Sequence, residues 1–135
     1  MFVMLNPSTA DETINDPTVS RCIDYSNMWG YSNLIVCNLF AYRATLPSDM
    51  KKVDDPVGTD NDHWIATSAL QADRIIVAWG THGSYKSRSR HVLENVLKVK
   101  DADVNVYHLG LTKGGEPKHP LYLKKLVEPT KYILD

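Results

Sequence analysis

Four polar clusters in this chain each follow a short apolar run. Phe2-Val3-Met4-Leu5 leads into Asn6-Pro7-Ser8, and Leu34-Ile35-Val36-Cys37 leads into Asn38. Ile75-Ile76-Val77-Ala78 leads into Trp79-Gly80, and a fourth run precedes Lys118-His119-Pro120. A primary amide presents a donor and an acceptor side by side, which suits the edge of a pyrimidine or purine. A histidine can donate to a ligand oxygen or move a proton near neutral pH. Two asparagines, a tryptophan and a histidine brought to one edge would hold a small planar ligand. Each residue also has a plainer role: an Asx turn at Asn6, a loop tie at Asn38, core at Trp79, an incidental loop residue at His119.

The one dense basic stretch is Ser84-Tyr85-Lys86-Ser87-Arg88-Ser89-Arg90-His91. It is predicted to open a helix, where unpaired N–H groups and the helix dipole favour an anion. Lys86 and Arg90 are four apart and would share a face, with Arg88 pointing elsewhere. Lys86, Arg90 and Lys118 are therefore the candidate phosphate ligands; a solvated helix face is the alternative. The histidines and cysteines show no metal-binding spacing such as Cys-x-x-Cys or His-Glu-x-x-His. Gly114-Gly115 is not a Walker loop, and no Gly-x-Ser-x-Gly elbow is present. Neither a metal nor a cofactor is expected.

The elements that would position these clusters alternate between strand and helix, the pattern of a parallel sheet with helices on both faces. In such sheets ligands bind beyond the carboxyl ends of the strands. Thr9 to Asp16 reads as loop. Asp16-Pro17 reads as an N-cap with proline at the first helical position, with Val19, Cys22, Ile23 and Ser26 on one face and Gly30 at the stop. Leu34 to Cys37 is expected as a strand buried on both faces. A long connection passes Arg43, Pro47 and Pro56. Asp60 or Asn61 would cap a second helix with Trp64, Ile65, Ser68, Ala69 and Ala72 inward. Arg74 to Trp79 is a third strand. Val92, Leu93, Val96 and Leu97 mark a third helix, and Val104, Val106 and His108 a fourth strand.

The 135 residues suit a single domain, 1–135, able to bury a real core. A formal net charge of -1 argues against gripping long duplex DNA by charge alone. Cys22 and Cys37 lie in apolar patterns and read as small buried residues rather than a disulfide, which fits a cytoplasmic protein. No apolar stretch approaches the roughly 18 residues of a membrane span, and the N-terminal residues lack the basic start of a signal peptide.

The ordered motifs resemble the DUF1643 domain family of uncharacterised bacterial and phage proteins. The resemblance is carried by Met4-Leu5-Asn6-Pro7-Ser8-Thr9-Ala10-Asp11, Asn15-Asp16-Pro17-Thr18-Val19, Asn38-Leu39-Phe40-Ala41-Tyr42-Arg43-Ala44-Thr45, Trp79-Gly80, Gly110-Leu111-Thr112-Lys113 and His119-Pro120-Leu121-Tyr122. Relatives usually carry a further segment before the Asn-Pro strand. A more distant resemblance is to the uracil-DNA glycosylase superfamily, where an Asp-Pro or Asn-Pro motif, a strand-ending asparagine, Trp-Gly and a late His-Pro occur in the same order. That likeness implies a three-layer α/β/α sandwich on a four-stranded parallel sheet.

It also implies roles. Asn6 would orient a water, Asn38 would read the base edge, and His119 would stabilise charge on a departing base, a contribution of about 3–4 kcal/mol for a preorganised donor. Asp16 or Asp11 would supply the basicity that an asparagine lacks. Tyr42 or Phe40 would stack on the base for roughly 1–3 kcal/mol, and Trp79 would join them in binding it. Two departures stand out: position 6 is asparagine rather than aspartate, and Leu121-Tyr122 replaces the usual serine-containing phosphate loop. The expected function is recognition of a nucleobase, nucleotide or nucleic acid, with hydrolysis of an N-glycosidic bond as the candidate reaction. The alternative is a non-catalytic binder of a nucleotide, modified base or nucleotide signal. A second copy of the chain is a candidate partner, and no membrane is expected.

Overall fold

The computed structural model describes residues 1–9, 16–101 and 103–134. One mixed sheet organises them. Its strands are β1 (Phe2–Met4), β2 (Val36–Asn38), β3 (Ile75–Val77), β4 (Val106–His108) and β5 (Thr130–Lys131), in the spatial order β2-β1-β3-β4-β5. The first four are mutually parallel, and β5 runs antiparallel to β4. The α/β class therefore holds, whereas the expected four-stranded, all-parallel sheet is corrected to five strands with an antiparallel edge. β5 is two exposed polar residues with no apolar alternation, so it carries no periodic signal. It is recruited through its backbone, and the next amide, Tyr132 N–H, donates to Val106 O at 2.8 Å.

β1 and β3 are the central strands, and every residue in both is buried. That is why they read as unbroken apolar runs. Their side chains alternate between two cores. Val3, Leu5, Ile75 and Val77 pack with Ile65 of α3 (Asn61–Gln71) and with Val92, Leu93 and Leu97. Phe2, Met4, Ile76 and Ala78 pack with Cys22 and Tyr25 of α1 (Pro17–Met28). β2 lies at the sheet edge, with Val36 exposed and Cys37 and Asn38 half-buried. The expectation of a strand buried on both faces is wrong there, because edge position, not local sequence, sets its burial.

α1 begins as its sequence suggests: Asp16 Oδ1 accepts from Thr18 N at 2.8 Å, and Pro17 occupies the first turn. Its buried face is Cys22, Tyr25 and Ser26, while Ile23 is exposed. α2 (Pro47–Met50) is a single turn inside the long connection. α3 has Asp60 at its N-cap position and buries Ile65, but Trp64 is 62% exposed and does not face inward. The chain after Gly80 makes tight turns over Thr81–Ser87, broken at Tyr85 and Lys86. α4 (Arg88–His91) then runs into a π turn, Val92–Val96, closed by Leu97 N–H donating to Val92 O at 2.8 Å. Among the described residues no helix is long and apolar enough to cross a membrane.

The register brings the predicted clusters to one edge. Met4 pairs with Asn38 and Val3 with Val77, so Asn6, Asn38 and Gly80 all leave the sheet at the carboxyl ends of parallel strands. From β1 the chain moves to one side to form β2 and then crosses to the other side to form β3. The order therefore reverses at β1, and a crevice opens between the β1 and β3 ends.

Candidate functional site

Two adjoining chambers occupy that edge. The smaller, of about 150 Å³, is lined by Asn6, Asp16, Asn38, Arg43 and His119 among others. The larger, of about 660 Å³, opens between the ends of β1 and β3 and is lined by Asn6, Gly80, His82, Lys118, His119 and Tyr122 among others. Asn6, Ser8, Thr18 and His119 line both, so the chambers are contiguous. A groove of about 830 Å³ at the opposite end of the sheet, between α3 and the π turn, contains none of the predicted site residues. The chambers are the better candidate despite that groove's size, because several separated polar residues converge on them.

Asn6 is held firmly. Its Nδ2 donates to Ala44 O at 2.9 Å and to Pro7 O at 3.2 Å, with Tyr42 O at 3.5 Å. Three carbonyls surround this end of the amide, so it must be the NH₂ end, and the orientation is chemically determined. Oδ1 makes no hydrogen bond among the described residues and is left to accept from a water or ligand. Asn38 sits one strand away. Its backbone carbonyl is taken by Asn61 Nδ2 at 2.9 Å, while its own amide makes no hydrogen bond among the described residues. The same Asn61 Nδ2 also reaches Leu39 O at 2.9 Å, which fixes the strand end that carries Asn38.

His119 is positioned by a loop fastened at several points. Gly80 N–H donates to Pro117 O at 2.8 Å and Lys118 N–H to Gly110 O at 2.9 Å. Gly80 adopts φ +79°, a backbone conformation that favours glycine, and a Cβ there would lie 3.6 Å from His119 Cβ. His119 Nδ1 accepts from Leu121 N at 3.3 Å, so the neutral ring carries its proton on Nε2 and is a donor there. Burial lowers the pKa of His119, partly opposed by the charge of Asp16. Near neutral pH the ring is the uncharged, Nε2–H form.

Asp16 is present at the smaller chamber but committed: Oδ1 caps α1 and Oδ2 accepts from Ser8 Oγ at 2.9 Å. Its second oxygen is engaged as well as its first, so its main work is local structure. Asp11, the other carboxylate considered, lies outside the described residues.

The aromatic candidates divide. Trp79 is 1% exposed, and its Nε1 donates to Glu116 Oε2 at 2.7 Å. The indole packs so tightly that a Cβ on Gly83 would fall 2.1 Å from its Cδ1. Trp79 is thus core, and its polar end anchors the loop that carries His119. Phe40 is fully buried beside the Tyr85 ring, with centroids 5.9 Å apart, and offers no open face. Base binding by Trp79 and base stacking by Phe40 are corrected on that ground. Tyr42 is 43% exposed and lies in the Asn6-binding loop. Tyr122 is 85% exposed beside His119, with ring centroids 5.8 Å apart; as part of the His-Pro motif it was visible in the sequence but not singled out.

The basic stretch also changes meaning. Lys86 and Ser87 have φ near +55°, so no helix joins Lys86 to Arg90. Lys86 Nζ donates to Asp54 O at 3.3 Å, and Arg90 pairs with Glu94. Neither lines either chamber. Arg88, expected to point elsewhere, points inward: its side chain is 5% exposed, with Nε donating to Leu39 O at 2.7 Å and Nη2 paired with Asp62. Burial pushes the Asp62 carboxyl up, but Arg88 and His91 outweigh it and hold it below the usual carboxylate value. Of the three predicted phosphate ligands only Lys118 lines the site.

Arg43 was missed. It lines the smaller chamber, and its Nη1 donates to Ser8 O at 3.0 Å. The available signal was its place five residues beyond Asn38, in the loop that also binds Asn6. Over residues 1–121 the chain matches the family described as "Protein of unknown function (DUF1643)". The chain belongs to the DUF1643 family. No curated protein and no solved structure matches it. In this DUF1643 chain the Asn-Pro, Asn38 and His-Pro motifs converge on the chambers, and the Trp-Gly motif braces them. No group of three or more His, Cys, Asp or Glu residues that could hold a metal occurs among the described residues.

Proposed function

We propose that the chain recognises a nucleobase in the smaller chamber, as part of a nucleotide or nucleic acid. One observation carries the reading: Asn38, Asn6 and His119, from three distant stretches, line one cavity of about 150 Å³. That cavity offers the Asn38 amide as a donor–acceptor pair, the Asn6 oxygen as an acceptor and, on the tautomer argument, His119 Nε2–H as a donor. The motif order resembles that of the uracil-DNA glycosylase superfamily, and the sheet edge is where an α/β protein binds its ligand.

If the chamber cleaves an N-glycosidic bond, the roles follow from these atoms. Water would rest on Asn6 Oδ1 and attack the sugar carbon as the bond to the base breaks, through an oxocarbenium-like transition state. His119 Nε2–H would hydrogen-bond the base as it leaves with the electron pair of the broken bond, and the proton shed by the attacking water would pass through solvent to that base. A second reading, a binder without chemistry, is favoured by one feature. Asn6 cannot accept a proton as a carboxylate would, and both oxygens of Asp16 are engaged.

The test incubates the protein with oligonucleotides carrying uracil, hypoxanthine or modified pyrimidines, and with the corresponding nucleotides, and measures abasic sites and released base. Release that disappears in both Asn6→Ala and His119→Ala supports hydrolysis. Binding without release supports the non-catalytic reading. If no base-containing compound binds or reacts, the proposal is wrong.

A further inference from the structure

We infer that the larger chamber is a phosphate subsite and that the ligand of the cleft is a free nucleoside phosphate rather than a nucleic-acid strand. This rests on the nucleobase reading. The smaller chamber, about 150 Å³, has the room of about five waters at ~30 Å³ each. It is below the about 300–1,000 Å³ of pockets that enclose a whole ligand, and it suits a single ring system. The sugar and its phosphate must lie elsewhere. The contiguous chamber of about 660 Å³, sharing Asn6 and His119, is where they would go.

Its chemistry fits an anion. The described lining includes Lys118, two imidazoles and five serine and threonine residues, and no carboxylate. Both imidazoles present N–H donors. His119 Nδ1 is occupied by Leu121 N, and His82 Nδ1 lies 2.9 Å from Lys51 Nζ, which can only donate. Lys51 thereby brings a second ammonium to His82. The Lys118 stem passes over Gly110, where a Cβ would come within 3.3 Å of Lys118 Cδ. The nearest acid in the loop, Glu116, has both oxygens engaged, one by Trp79 and one by Ser89.

A strand needs cations beyond one chamber, along its phosphates. The densest basic stretch does not supply them: Arg88 is buried on Asp62, Arg90 is on Glu94, and Lys86 is at Asp54 O. The net charge of the whole chain is -1. Local cation donors in one contiguous pair of chambers match a mononucleotide better than a polymer.

The experiment titrates the full chain with nucleosides, their 5′-monophosphates, inorganic pyrophosphate and short single-stranded oligonucleotides. A monophosphate should bind at least about tenfold tighter than its nucleoside, the size of one charge-assisted contact. Lys118→Gln should bring that ratio close to one while leaving nucleoside affinity in place. Asn38→Ala should weaken nucleoside and nucleotide alike. Equal affinity for nucleoside and nucleotide overturns the subsite and leaves the base reading standing. Oligonucleotides binding tighter than monophosphates, with a steep salt dependence, overturn the free-nucleotide assignment. Pyrophosphate binding that is lost in Lys118→Gln, without any nucleoside binding, supports the subsite and removes the nucleobase reading. Silence from every probe overturns both.

Discussion

The indole Nε1 of Trp79 donates to Glu116 Oε2 at 2.7 Å, joining the end of β3 to the loop that carries His119. Trp79→Phe keeps most of the packing and removes this donor. Glu116 then loses one of two hydrogen bonds in a half-buried setting, a loss of about 1–3 kcal/mol. A melting temperature lower by roughly 3–10 °C is expected. An unchanged melting temperature would show that the hydrogen bond contributes nothing to the loop.

Asn6→Asp restores a carboxylate but places an acceptor against the carbonyls of Ala44 and Pro7. The variant should be less stable than Asn6→Ala at neutral pH, and the deficit should shrink in acid as the carboxyl gains a proton to donate. Urea unfolding of both variants at two pH values decides this. Equal stabilities at neutral pH would mean the 42–44 loop simply moves away.

Arg88→Lys should not rescue Arg88→Ala. The guanidinium serves Leu39 O and Asp62 at once, which needs its fork of donors. Leu39 O keeps Asn61 Nδ2 as a donor but loses the charged one, a loss of about 1.5–3 kcal/mol in either variant. Chemical denaturation that finds the lysine variant near wild type would contradict the two-contact role.

Burial lowers the pKa of His82, His108 and His119 alike. A histidine whose folded pKa is below its unfolded value binds more protons when unfolded, so stability rises with pH. The stability should be fully present above the ordinary histidine value of about 6.5 and fall as pH drops below it. Asp62, held low, adds a separate loss only in stronger acid. Unfolding free energies at a series of pH values should show the histidine-range decline, smaller in His119→Gln. A flat profile there would contradict the partial burial of His108 and His119.

Cys22 is fully buried, and burial pushes its thiol up to about 12. It should resist alkylation in the folded protein and react on unfolding, because the thiolate is the reactive form. Mass spectrometry after timed labelling follows this, and rapid native modification of Cys22 would place it at the surface instead.

The local sequence by itself determined where the four parallel strands lie, the Asp16-Pro17 start of α1 and the membership of Asn6, Asn38 and His119 in one cleft. Apolar runs bounded by Pro, Asn or Gly are short-range signals, and parallel strands align their carboxyl ends wherever the helices between them allow it. Tertiary structure decided what each remaining residue is for. Trp79 and Phe40 look like base-binding residues until the core closes around them. Lys86 and Arg90 share a face only on a helix that the left-handed turn at Lys86 and Ser87 prevents. Arg88 became the buried cation because Asp62 of α3 and the Leu39 carbonyl both meet it there. β5 exists only because β4 has an edge to fill. Burial, ion pairing and edge pairing depend on partners distant in the chain, and no window of neighbouring residues contains them.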